Sequence, residues 1–318
     1  MTKTRTPKGD RRRAVLAAST GGHLAQMHRL VRDLPIQSDP LWITFDHPQS
    51  RSLLQGCRVA YVPYIAPRDY GNVLRGLPAV AKSLHHEDFD IAISTGAAIA
   101  NPVLGLARMM GKEAWYIESV SRFDGPSLTG KAMAAFPGIS TFTQHQSWAD
   151  HRWAYRVSVL DKYKSRQIDT AEPIRKIFVT LGTIKPYRFD SMIDAVVNAT
   201  SKLAVQPELV WQVGATDRKD LPGDVHELMS AREFDDCVLN SDLCVSHSGV
   251  GSAMQVMDLG RSPLLIPRRR RRNEHVDDHQ QQIARELDDR GLAVAAEADG
   301  INPELMALAA SRRIQRLG

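Results

Sequence analysis

The sequence predicts an α/β protein made of two consecutive parallel-sheet units. Three observations carry this. From residue 14 to about 160, short apolar runs alternate with segments of helical periodicity. A polar, weakly periodic stretch interrupts the pattern, and the same alternation restarts near residue 175. A chain of 318 residues also suits two domains of about 150 residues, each able to bury its own core. Strict strand–helix alternation implies a parallel sheet covered on both faces.

The elements follow in order. Ala14–Ala18 reads as a strand, and 21–34 as a helix with Leu24, Met27, Leu30, Val31 and Leu34 on one face. Leu41–Phe45 and Val59–Val62 are further strands, 71–85 a helix, Ile91–Ser94 a strand, 99–110 a helix and Ala114–Ile117 a strand. In the second half, 176–181 is a strand, 189–203 a helix, 209–213 and 243–246 strands, 251–259 a helix, 264–267 a strand and 276–290 a long helix. Residues 303–316 are expected as a last helix. The resulting division is a basic disordered tail 1–13, a first unit 14–160, a linker 161–174 and a second unit 175–318.

Composition narrows the function classes. No uninterrupted apolar run approaches the roughly 18 residues of a spanning helix, and charges interrupt the opening segment where a secretory signal would lie. Three cysteines, Cys57, Cys237 and Cys244, are an odd number without metal-ligand spacing, which fits a reducing cytoplasmic setting. Residues 1–13 hold Lys3, Arg5, Lys8, Arg11, Arg12 and Arg13 against Asp10, so this tail carries the whole net charge of +5. A balanced body with a basic tail is not a nucleic-acid binder; the tail is either solvated or attracted to an anionic membrane surface.

Ligands of open parallel sheets bind where strand-to-helix loops converge at the carboxyl edge. Four segments stand there. Ser19-Thr20-Gly21-Gly22-His23 combines glycines, which let a backbone approach a ligand, with a helix start that favours anions; His23 could accept a proton from a hydroxyl, or be a capping or core histidine. Thr95 and Gly96, with Glu118, Ser119 and Arg122 at the next strand end, could bind an acceptor, or Glu118 and Arg122 could be a structural pair. Gly182 and Thr183 open the second unit in the same way. Ser246–Ser252 sets glycines among serines before a helix, another amide-lined anion cradle, and Glu274–Gln280 places polar residues at the next helix start. Asp88-Phe89-Asp90 has the form of a metal-binding D-x-D but precedes a strand, at the wrong end of the sheet. No cluster with metal-ligand spacing occurs elsewhere.

These motifs resemble a known family. Ser19–Leu24, Ser94–Gly96, Tyr116–Arg122 and Pro126–Gly130 are similar to the membrane-docking subunit of the two-subunit enzyme that adds the second GlcNAc to dolichol diphosphate. Phe178–Thr183, Ser246–Ser252 and Pro263–Gln280 resemble its donor-binding subunit and the carboxy domain of the bacterial lipid II GlcNAc transferase. Bacterial exopolysaccharide and capsule transferases of this type, in glycosyltransferase family 28, look most similar.

The resemblance implies a GT-B fold, two Rossmann-like domains facing across a cleft. It also implies an inverting, metal-independent transfer of a hexose or hexuronate from a UDP-sugar, with no cofactor, to a polyprenyl-diphosphate-linked saccharide. His23 would be base or orienting group, with Glu118 in reserve. Ser19, Gly21, Gly22, Thr95, Gly96, Ser119 and Arg122 would meet the acceptor. Gly182, Thr183, His247, Ser248, Gly249, Gly251, Ser252, Gln255, His279 and Gln280 would meet UDP. Gln255 stands where the family usually has a Glu for the ribose hydroxyls. Attachment would be peripheral, on the inner face of the plasma membrane, and self-association is open. Arg268–Arg272 has three readings: neutralising a diphosphate or acidic sugar, touching anionic lipid, or a solvated loop. A UDP-sugar epimerase and a non-catalytic membrane scaffold are the alternatives.

Overall fold

The computed structural model describes residues 11–64, 70–169, 172–182, 186–218, 220–275 and 278–317, with the side chains of 70–75 and 279 excepted. The chain divides into two compact units, 1–159 and 160–318, each with its own sheet.

In the amino-terminal unit the strands are β1 (Ala14–Ala18), β2 (Leu41–Phe45), β3 (Arg58–Val62), β4 (Ile91–Gly96), β5 (Glu113–Ile117), β6 (Ile139–Thr143) and β7 (Trp153–Tyr155). They form one sheet in the order β3-β2-β1-β4-β5-β6-β7, every pairing parallel. Helices α1 (Gly22–Leu30), α2 (Pro48–Leu53), α3 (Tyr70–His85), α4 (Ala100–Met109) and α5 (Leu128–Ala135) connect them. β1 and β4 are buried along their whole length, as strands covered by helices on both faces must be. Chain order reverses between β1 and β4, so the loops that follow these two strands open side by side.

The carboxy-terminal unit repeats the plan. β9 (Lys176–Thr180), β10 (Glu208–Gln212), β11 (Asp224–His226), β12 (Leu243–His247), β13 (Pro263–Ile266) and β14 (Val294–Ala295) order as β11-β10-β9-β12-β13-β14, again all parallel. Here the reversal lies between β9 and β12. The helices are α6 (Asp190–Thr200), α7 (Ala231–Leu239), α8 (Val250–Asp258), α9 (His279–Asp289) and α10 (Pro303–Ala310). Trp211 and Phe189 are fully buried in this core beside Ile177, Val179 and Leu264.

Three expectations change. The stretch expected as a linker contains β8 (Tyr163–Gln167), and the helix expected over 303–316 stops at Ala310 and gives way to β15 (Arg312–Arg316). The two strands pair antiparallel. Each buries one apolar residue, Tyr163 and Ile314, too few to produce a strand-like alternation. The tail is also shorter than expected. Residues 1–10 lie outside the described residues, but Arg12 pairs with Glu113 and lies 4.8 Å from the Trp115 ring centroid, and Arg13 binds Asp90.

Candidate functional site

Each unit places one histidine at the point where its strand order reverses. In the amino-terminal unit Gly21, at φ +90°, turns the chain out of β1 into α1, and no side chain caps that helix. The Leu24 amide donates to the Ser19 carbonyl at 3.0 Å, and the amides of Gly22 and His23 open the helix toward a ligand. Gln49 holds the turn: Gly21 N–H donates to its Oε1 at 2.6 Å.

His23, in the first turn, lies 2.7 Å through Nδ1 from the Thr95 carbonyl at the end of β4. A carbonyl only accepts, so Nδ1 carries the proton and Nε2 keeps the lone pair. Thr95 Oγ1 donates back to the His23 carbonyl at 2.9 Å, locking the two loops together. Burial depresses the His23 pKa, and Arg122 adds to this, against the Thr95 carbonyl and Glu118; the ring is therefore neutral at neutral pH. A Cβ on Gly96 would stand 3.1 Å from His23 Cε1 and 3.3 Å from Tyr116 Oη. Glycine at this position, at φ +102°, makes room for the imidazole.

Glu118 has a different part. It is fully buried. Its Oε1 accepts from the Ser119 amide at 3.0 Å and Tyr116 Oη at 3.2 Å. Its Oε2 accepts from the Ser127 amide at 2.9 Å and Ser127 Oγ at 3.0 Å. Ser127 in turn caps α5. Four donors on one buried carboxylate fix the loop around Tyr116–Ser127 and leave little capacity for taking a substrate proton. Burial also raises the Tyr116 phenol well above its usual value, helped by Glu118, so it stays a donor to this carboxylate.

Ser119 Oγ belongs to a buried network with Gln26, whose Nε2 donates to it at 3.1 Å, and Gln144 Nε2 donates to Gln26 Oε1 at 3.2 Å and to the Glu118 carbonyl at 2.9 Å. Gln26 and Gln144 were not legible as site residues; a glutamine on the apolar face of a predicted helix was the available signal. Ser19 Oγ is buried without a hydrogen-bond partner among the described residues. Arg122 closes the turn through its amide, which donates to the Ser119 carbonyl at 3.0 Å.

The carboxy-terminal unit repeats the device. His247 ends β12 and its Nδ1 lies 3.4 Å from the Thr180 carbonyl at the end of β9, again leaving the lone pair on Nε2. Its ring fits between two glycines: a Cβ on Gly182 would stand 2.6 Å from Nε2, and one on Gly249 2.3 Å. Burial, and next the Arg268 charge, push its pKa down to about 4, against the Thr180 carbonyl.

Gly249 opens α8 without a side-chain cap. The first-turn amides of Val250, Gly251 and Ser252 thus form an anion-favouring terminus. Ser248 Oγ is buried without a hydrogen-bond partner among the described residues, a hydroxyl available to a ligand. Gln255, one turn on, donates to Asp235 Oδ1 at 2.7 Å, so its amide is oriented by a neighbouring carboxylate on α7. Gln280 Oε1 accepts from the Arg268 amide at 3.1 Å. Thr183 and the His279 side chain lie outside what the structure describes.

The arginine run divides. Arg268 is fully buried and donates to the carbonyls of Leu181, Tyr187 and Glu274 at 2.7, 3.0 and 2.9 Å, with its guanidinium 4.9 Å from the Phe189 ring centroid. It is a latch that holds the segment before Gly182. Desolvation lowers its pKa to about 10, against Glu274. Arg269 pairs with Glu297 at 3.3 Å and Arg272 with Asp299 at 3.5 Å; Arg270 and Arg271 are exposed.

The Asp88-Phe89-Asp90 segment lies before β4, and Arg13 occupies both carboxylates. Asp90 is held at about 2, chiefly by Arg13. No group of three or more potential metal ligands occurs among the described residues, and no helix among them is long and apolar enough to cross a membrane.

Comparison with known proteins agrees with this architecture. Residues 176–307 match the glycosyltransferase family 28 C-terminal domain. Similar solved structures include MurG of Acinetobacter baumannii, at 14% identity, 94% of each chain covered and a TM-score of 0.62. The glycosyltransferase SnogD of Streptomyces nogalater is 16% identical, over 94% of this chain and 90% of that one, with a TM-score of 0.54. The UDP-GlcNAc 2-epimerase of Neisseria meningitidis is 10% identical, over 94% and 97%, with a TM-score of 0.52. At these identities the likeness shows the fold. No curated protein is similar in sequence. The chain has the GT-B fold, and its carboxy-terminal unit is similar to the glycosyltransferase family 28 C-terminal domain over residues 176–307.

Proposed function

We propose that this protein transfers a hexose or hexuronate from UDP to a saccharide carried on a polyprenyl diphosphate, with inversion and without a metal. The carboxy-terminal unit holds the donor and the amino-terminal unit activates the acceptor. The observation that carries this reading is the tautomer of His23: with Nδ1–H committed to Thr95 O at 2.7 Å, the neutral ring offers Nε2 to an acceptor hydroxyl. General-base catalysis of this kind contributes about a hundred- to ten-thousand-fold.

On the donor side, the uncapped start of α8, the orphaned Ser248 hydroxyl and the family match over 176–307 support binding of a nucleotide diphosphate. The dipole and free amides of a helix N-terminus carry negative charge without a metal. Because its carboxylate already accepts four hydrogen bonds, Glu118 acts here as a positioning residue that braces the Tyr116–Ser127 loop. Ser19, Gly21, Gly22 and Ser119 surround the same loop and would contact the acceptor. The basic residues near the amino terminus fit a peripheral attachment to anionic lipid on the cytoplasmic face.

A UDP-release assay over a panel of UDP-sugars, with and without a polyprenyl-diphosphate saccharide, tests the proposal. Release that requires the acceptor supports transfer. A donor isomer formed without acceptor would instead identify an epimerase, and no turnover of any donor would leave a scaffold.

A further inference from the structure

The β8–β15 ribbon has an unusual charge register. Arg313 stands directly opposite Arg166, and Gln315 opposite Lys164. On its other side Arg313 bridges Arg261, in the segment after α8. Three arginines thus form one row across three neighbouring segments. Lys164 lies two residues from Arg166 and therefore shares its face. Residues directly opposite each other stand about 5 Å apart, where like charges destabilise a sheet.

No ion pair relieves the row among the described residues; the nearby pair of the ribbon is Arg316 with Asp258, at 3.6 Å. Arg261 Nη2 donates to the Leu239 carbonyl at 2.6 Å, and Arg313 Nη1 to the carbonyls of Ala310 and Arg312 at 2.8 and 3.0 Å. These bonds orient two guanidinium groups and leave most of their five N–H donors unused. Burial, then the charge of Arg261, holds Arg313 below the ordinary guanidinium value, and Arg166 adds to this against Asp242 and Cys244. An open hollow of about 390 Å³ lies against the row, lined by Arg166, Gly260, Arg313, Ile314 and Gln315.

The guanidinium groups of Arg166 and Arg313 at one hollow, with Arg261 beside Arg313 and Asp242 the carboxylate that offsets the charge of Arg313, match the oxygens of a phosphate group. We propose that the Arg166–Arg313–Arg261 row binds a phosphate or diphosphate group, at a place separate from the candidate donor loop. The two places lie at opposite ends of α8: Ser248–Ser252 open the helix, whereas Gly260 lies two residues past its end. The inference does not rest on the proposed transferase activity. The phosphate comes either from a soluble ligand or from the headgroup of an anionic phospholipid, and the ribbon supplies the same chemistry to both.

The full-length protein and Arg166→Glu distinguish the cases. In the ligand-free protein the new carboxylate faces Arg313, so Arg166→Glu should melt at or above the wild-type temperature. It should also weaken binding of inorganic diphosphate, measured by calorimetry, by about tenfold or more, the effect of losing a charge-assisted hydrogen bond. Sedimentation with vesicles of phosphatidylglycerol in phosphatidylcholine is the second arm. A matching loss on vesicles assigns the phosphate to a headgroup; a loss with diphosphate alone assigns it to a soluble ligand. Arg313→Gln serves as a second, smaller change, and Arg232→Glu on the exposed face of α7 controls for net charge. The proposal is overturned if neither probe binds, if Arg166→Glu and Arg313→Gln bind both as the wild type does, or if Arg232→Glu weakens binding equally.

Discussion

Acidification should unmask His247. In the fold its pKa lies at about 4, whereas an unfolded histidine titrates near 6.5. As pH falls, the unfolded chain takes up this proton first, so stability is intact above about pH 6.5 and is lost progressively down to about pH 4. The whole shift corresponds to about 3 kcal/mol, most of it lost by pH 4.5. Desolvation is the larger cause and the Arg268 charge the next, with Gly182 and Gly249 letting the backbone close on the ring. Urea unfolding of the wild type and of His247→Asn, whose amide can still donate to Thr180, isolates this group. Between pH 7 and pH 4.5 the wild type should lose about 2 kcal/mol relative to the variant. His23 contributes in the same direction but is present in both proteins. A stability difference that stays constant between the two pH values would refute the buried, neutral imidazole and the role given to the two glycines.

Gly249→Ala forces a Cβ to within 2.3 Å of His247 Nε2; overpacking of this sort costs about 1–3 kcal/mol. Calorimetry should show UDP affinity falling by about tenfold, and unchanged affinity would argue against that loop as the donor site. Glu118→Gln turns one acceptor into a donor facing Ser119 or Ser127, and should lower stability by about 1–3 kcal/mol; a melting temperature equal to the wild type would contradict the four-donor arrangement. Gln255→Glu sets a second carboxylate against Asp235 and should destabilise by about 1 kcal/mol at neutral pH, an effect that Asp235→Asn should remove in a double-mutant cycle.

The two-unit α/β architecture was legible because strands buried on both faces read as continuous apolar runs, such as Ala14–Ala18 and Ile91–Ser94. The loops that matter were legible because glycine is needed where the chain turns at positive φ or where a ring lies against the backbone, as at Gly21, Gly96 and Gly182. The D-x-D segment precedes a strand, and there Arg13 pairs with both of its carboxylates. β6 was missed because Thr141 and Thr143 are buried polar residues that dilute its hydropathy. The β8–β15 ribbon was missed because its pairing joins segments almost 150 residues apart and buries one apolar residue per strand. Nor could sequence separate the members of the arginine run, since whether Arg268 meets a ligand or three backbone carbonyls depends on where Leu181, Tyr187 and Glu274 come to rest. Glu118 looked like a spare base for the same reason: its four donors come from Tyr116, Ser119 and Ser127, and the two from Ser127 exist only once the turn before α5 has formed.

The most direct test of the central claim compares His23→Ala with the wild type in donor turnover and in UDP binding. A base held on the Thr95 carbonyl predicts a loss of about a hundredfold or more in kcat, with the Kd for UDP nearly unchanged because the proposal assigns the nucleotide to the other unit. Turnover at the wild-type rate would remove His23 from the chemistry, and a parallel loss of UDP affinity would contradict the division of labour between the two units.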